Sequence, residues 1–148
     1  MPVNPEAVGR AYGPHAPYEV TRVKIREFAD AVDARSFAHF SVDAARAEGY
    51  DDVVAPTTFA VVIAQRAEFH VVVDPEVGVD FSKVVHADER FTHHRPIVAG
   101  DVISTTVYVD SITQRAGITM VTTRAELEDA DGNPVSTVTS SLVVRDEA

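Results

Sequence analysis

The rhythm of apolar and polar residues changes near Lys83. Before that point the spacing is helical. VKIREFADAV (23–32) sets Val23, Phe28, Ala31 and Val32 roughly on one face, with Ile25 beside it, and predicts a helix. YEVT (18–21) ahead of it predicts a short strand. Ser41 is placed to cap a second helix over VDAARAEGY, where its hydroxyl takes an orphan amide, Asp43 suits the first turn and Gly49 stops the run. PTTFAVVIAQRAEFHVVV (56–73) is the most apolar stretch and predicts a long helix buried on most sides, with Pro56 in its first turn. Its β-branched tail keeps a strand over 69–73 open as an alternative. DPEVGVDFS (74–82) predicts a loop.

After Lys83 the period becomes two. Val85, Ala87 and Phe91 alternate with polar residues as far as RPIVAGD (95–101), which has turn chemistry. Ile103, Thr105, Val107 and Val109 share a face; so do Val121, Ala125 and Leu127, and then Val138, Leu142 and Val144. ADGN (130–133) between the last two runs predicts a hairpin. Helices followed by an antiparallel meander give an α+β fold, with one long buried helix against a curved sheet as the simplest arrangement. At 148 residues the expectation is a single domain over 1–148.

Composition narrows the function. The net charge of −10, from 23 acidic and 13 basic residues with no Lys/Arg run, argues against nucleic acid as a partner. No apolar run reaches the length of a membrane span, no secretory signal is evident, and a cytoplasmic setting is expected. The absence of cysteine removes thiolate zinc sites and Cys nucleophiles. His93 and His94 invite a metal, but successive strand residues point to opposite faces, and no HExxH or carboxylate-rich cluster accompanies them. No metal and no cofactor are expected. No phosphate loop or nucleophile elbow is present either.

Three pieces in order, KIREFA (24–29), APTTF (55–59) and HRPIVAGD (94–101), resemble the MaoC-like branch of the hot-dog fold. The nearest likeness is to the HadA-type subunits of actinobacterial (3R)-hydroxyacyl-ACP dehydratases, and it runs from about Val8 to Val144. The resemblance implies one antiparallel curved sheet wrapped around a long central helix. In catalytic members the first helix ends in a loop G-D-x-N-P-x-H, whose Asp and His handle the water that is added or removed. A main-chain N–H at the start of the central helix, in a His-Gly pair, polarises the thioester carbonyl. Preorganised donors at a helix N-terminus suit a developing enolate, and the 3-hydroxyl leaves as water only when a nearby acid protonates it.

Laid on that motif without gaps, Asp33 takes the Gly position, Ala34 that of the catalytic Asp, and His39 that of the catalytic His. Ala55 and Pro56 fall on the His-Gly pair, and proline has no N–H to donate. The candidate catalytic residues are therefore His39 and Asp33. Asp33 stands one place early for the carboxylate, and His39 has a plainer role as a space-filling loop histidine. Thr57 and Thr58 are candidates for binding the thioester or pantetheine, with helix capping as their structural role. Phe59, Val62 and Ile63 are candidates for meeting the acyl chain.

The resemblance implies a substrate-holding subunit acting on acyl-ACP or acyl-CoA beside a HadB-type catalytic subunit that supplies Asp and His. Arg22, Lys24 and Arg26 are the densest basic candidates for meeting an acidic carrier. Two alternatives stand beside it. One is a self-sufficient homodimeric hydratase using Asp33 and His39; the other is an acyl-thioester binder with no chemistry.

Overall fold

The computed structural model describes residues 2–146, so the expected 1–148 domain also takes in Met1, Glu147 and Ala148, which lie outside the described residues. Four long strands run antiparallel: β3 (Val84–His93), β4 (Val102–Arg115), β5 (Ile118–Glu128) and β6 (Pro134–Arg145). Two short ones, β1 (Ala11–Tyr12) and β2 (Tyr18–Glu19), both pair with β4. The sheet order is β1-β4-β5-β6-β3, with β2 beside β4 as well. The outer edge of β3 pairs with no other strand among the described residues.

Alternation decides the inner face. Ile103, Thr105, Val107 and Val109 of β4, Val121, Ala125 and Leu127 of β5, and Val138, Leu142 and Val144 of β6 are all buried, as their spacing predicts. The β5–β6 turn forms at the ADGN signal, where the Asp129 carboxylate accepts the N–H groups of Asp131 and Asn133. Against this face lies α3 (Ala60–Val72), which turns Ala60, Ile63, Ala64, Ala67 and Val71 inward. Three alanines in that stripe let the helix axis approach the sheet closely. The chain stays helical through Val72 and turns at Val73, so 69–73 forms no strand. Gly100 and Asp101 close the loop before β4. The Asp101 carboxylate grips the Arg95 guanidinium at 2.8 and 3.2 Å and accepts the N–H of Val98.

Several expected details differ. In β3 the register shifts between His86 and Asp88, so Val85 and Ala87 are exposed instead of sharing an inner face with Phe91. A bulge of that kind resets the alternation. In α1 (Arg22–Ala31) the buried residues are Ile25 and Ala29, with Phe28 half-buried, while Val23 and Val32 face solvent. The helix therefore buries the stripe i, i+3, i+4 that begins at Ile25. Pro56 precedes α3 in a tight turn closed by Phe59 N–H to Pro56 C=O, and the α-helix itself starts at Ala60. Phe59 holds the N-cap position without a side-chain cap, so neither Thr57 nor Thr58 caps the helix.

Candidate functional site

Helices α1 and α2 (Val42–Ala47) stop by the same device. At α2 the N–H of Tyr50 returns to the C=O of Ala45, with Gly49 left-handed at φ 97°. At α1 the N–H of Ala34 returns to the C=O of Ala29 at 2.8 Å, with Asp33 left-handed at φ 57°. This is the Schellman closure, and glycine is its usual left-handed residue. Asp33 thus occupies a conformational position that glycine adopts freely. Its carboxylate is 75% exposed and pairs with Arg35.

Beyond that closure Ser36 caps a short 3₁₀ turn, Phe37–His39. The turn carries buried Ala38 beneath and His39 half-buried above. The Val54 N–H binds the Ala38 C=O at 3.0 Å, and the His39 Nδ1 lies 2.7 Å from the Val54 C=O. A carbonyl only accepts, so Nδ1 carries a proton. The same extended segment binds on its other side, with Ala55 N–H to Ile97 C=O at 2.8 Å and Ala99 N–H to Val53 C=O at 3.0 Å. Main-chain bonds among three distant segments fix the position of His39.

These segments enclose a cleft of about 580 Å³ whose walls include Ala34, His39, Thr57, His93 and His94. The last two were expected as strand neighbours on opposite faces. Instead β3 ends at His93, and His94 lies in the bend before Pro96, so both reach the cleft. His93 has both ring nitrogens engaged: Nε2 donates to the Thr57 C=O at 2.7 Å, and Nδ1 lies 3.0 Å from the Ser136 hydroxyl oxygen. The Arg95 guanidinium is held in its cationic form above its ordinary range by its hydrogen bonds to Asp101. The sequence signal for this wall was the Arg95-Pro96 pair, since proline disturbs the residues before it and ends a strand. Among the described residues no group of three or more His, Asp or Glu is arranged to hold a metal ion.

The other sequence candidates separate. Asp33 and Thr58 do not line the cleft. Phe59 has no exposed surface and packs edge-on against Phe28 at 5.4 Å, so it belongs to the core. Val62 and Ile63 line a different groove, on the flank of α3. Glu48, the last residue of the α2 turn, is exposed at the rim of the cleft. Glu68, on the inner side of α3, is 5% exposed and accepts from Thr123 at 3.3 Å. Burial, and then the charge of Glu89, raise its pKa above the ordinary 4.5.

A curved antiparallel sheet around one long helix, with a cleft at the start of that helix, is the architecture of MaoC-like hot-dog dehydratases. Residues 6–138 match the FAS1-like, dehydratase domain region family, and the chain belongs to that family. It is 49% identical over 148 residues to a UPF0336 protein of Saccharopolyspora erythraea, covering 100% of this chain and 95% of the relative. A chain of the C-terminally truncated HadBC (3R-hydroxyacyl-ACP dehydratase) complex from Mycobacterium tuberculosis superposes with a TM-score of 0.84 at 32% identity, over 93% of this chain and 96% of that one. A solved MaoC-like dehydratase gives a TM-score of 0.88 at 35% identity over 95% of this chain, which spans 42% of that longer protein. No helix among the described residues is long and apolar enough to cross a membrane.

Proposed function

We propose that the chain is the substrate-holding subunit of a heterodimeric (3R)-hydroxyacyl-ACP or -CoA dehydratase of fatty-acid or mycolic-acid-type elongation in the cytoplasm. Its partner would supply the Asp and His that remove water to leave a trans-2-enoyl thioester. The observation that carries this reading is the closure of α1. Asp33 stands at the left-handed position of a glycine, which sets Ala34 against the cleft beside His39, where the resemblance puts a catalytic carboxylate. The dehydration needs a base to take the C2 proton and an acid to protonate the departing 3-hydroxyl. Of the motif's Asp and His only the His, at His39, is present, and it offers one half of that pair. Pro56, without an N–H, offers no donor at the expected place for the thioester carbonyl. Two further facts support a partner. Among the described residues the long edge strand β3 leaves its outer side open for pairing, and the similar HadBC protein is itself a complex.

In this reading the thioester head lies in the cleft near Thr57 and His39. The test is an assay of hydratase and dehydratase turnover with a trans-2-enoyl or 3-hydroxyacyl thioester. The purified chain alone should be inactive, and turnover should appear on adding a chain with an intact G-D-x-N-P-x-H loop. Robust turnover by the single chain, abolished by His39→Ala, would sink the proposal. A second reading keeps the self-sufficient hydratase but moves its carboxylate from Asp33, which does not line the cleft, to Glu48, which does. It requires that Glu48→Gln abolish turnover of the isolated chain.

A further inference from the structure

A second and larger cavity, about 890 Å³, lies between the flank of α3 and the segment that leads into β2. Its size falls in the range of small-molecule pockets, about 300–1,000 Å³. Val62, Ile63 and Ala67 of α3 and Ile103 of β4 give it an apolar floor. The polar groups gather at its rim. Arg66 stands over the Tyr18 ring, 5.5 Å from its centroid. His70, one turn further along α3, stacks on His15 with centroids 4.2 Å apart and planes 14° apart. The His15 backbone is pinned by its N–H to the Thr105 C=O at 3.0 Å, while its Nε2 is enclosed without a hydrogen-bond partner among the described residues.

The charge of these walls runs against that of the molecule. The chain carries 23 acidic residues against 13 basic ones, yet no Asp or Glu among the described residues lines this groove. Burial, and then its neighbour His70, hold the His15 pKa below the ordinary 6.5, so the standing cation of the rim is Arg66 and the stacked rings add ring N–H donors. An apolar floor, one guanidinium and two imidazoles at the rim, and no carboxylate of the described residues in the walls together select an anion with a hydrocarbon tail.

We propose that this groove binds a free long-chain carboxylate, with its tail on Val62, Ile63 and Ile103 and its head between Arg66 and the His15–His70 pair. The site is separate from the His39 cleft and does not depend on the dehydratase reading. An acyl thioester lacks the anionic head, so the groove distinguishes a free acid from a loaded carrier.

Titration calorimetry of the full chain with decanoate, 1-decanol and acetate tests this directly. Decanoate should bind at one site per chain, decanol more weakly, and acetate without measurable heat. Arg66→Gln, at an exposed position that the fold does not depend on, should weaken decanoate about fivefold or more and leave decanol unchanged. Amide shifts on adding decanoate should centre on Ile63, Arg66 and His70. Equal affinity for decanol and decanoate overturns the assignment, as does full affinity in a folded Arg66→Gln variant. Shifts centred on Thr57 and His39 place the ligand in the dehydratase cleft instead and overturn it too. So does decanoate that only dissociates a dimer without a saturable heat, because the groove is then an interface between copies.

Discussion

The two helices that flank the cleft end in the same backbone geometry with different residues. At α2 the left-handed position is Gly49, and nothing lies within 4 Å of where its Cβ would be. Substitution there meets conformational strain alone. At α1 the same position is Asp33, a residue type that enters the left-handed region more readily than most. The difference teaches how to read the loop. An aspartate beside a cleft histidine looks like half of an acid/base pair. Matched to Gly49, it is a helix terminator that holds its carboxylate outside, where Arg35 meets it. The residue that lines the cleft is the next one, Ala34.

The proposed reading predicts that a catalytic site can be built here. Ala34→Asp restores a carboxylate beside His39, and Pro56→Gly restores an N–H at the start of the tight turn before α3. We expect the double variant to turn over a trans-2-enoyl thioester about 10²-fold faster than the parent chain, on the scale of one general acid/base group. Adding His39→Ala should return it to background. Pro56→Gly alone loosens the unfolded chain by about 0.4–1 kcal/mol, so the fold should survive. A folded double variant with no gain would break the match between the α1 closure and the catalytic loop.

The helix ends themselves supply the next contrast. Gly49→Ala should lose about 1–2 kcal/mol in urea denaturation, the strain of a non-glycine residue held left-handed. Asp33→Gly should be neutral or stabilising, since it removes that strain while adding about 0.5–1 kcal/mol of backbone freedom to the unfolded chain. A loss at Asp33→Gly as large as that at Gly49→Ala would mean that the Asp33 side chain carries a structural contact beyond its surface ion pair.

How far this could be read from sequence follows the range of the interactions. Strands β4, β5 and β6 were legible because alternation is local, and a residue's face follows from its neighbour's. The cap at Ser41 and the stop at Gly49 are equally local, and both appear in the structure. Strand β3 was misread because one bulge between His86 and Asp88 reverses the faces on either side. The face of α1 was misread because Val23 and Val32 are apolar yet lie at its two ends, away from the core. In the cleft, His39 was found through its motif position. Its bond to the Val54 carbonyl, and that of His93 to the Thr57 carbonyl, join segments 15 and 36 residues apart. No periodicity encodes a bond from a side chain to a distant main-chain oxygen. Phe59 shows the converse: beside the motif it suggests an acyl contact, whereas its packing on Phe28 makes it core.

The smallest effect is expected from the most suggestive residue. Asp33→Asn keeps the side-chain shape and the readiness for a left-handed backbone, and it removes only the charge. An ion pair between two side chains more than 70% exposed is worth about 0–1 kcal/mol. Denaturation midpoints should therefore move by less than about 0.5 kcal/mol. In the reconstituted complex turnover should be unchanged, because the carboxylate stands outside the cleft on the solvent side of the helix end. A neutral Asn at a true acid/base position would instead cost about 10²-fold or more. Measuring kcat for the complex with parent and Asp33→Asn chains, at matched concentrations, separates the two cases by a margin that no stability effect could imitate. A collapse of turnover in a folded variant would return Asp33 to the chemistry and leave Gly49 as a false guide.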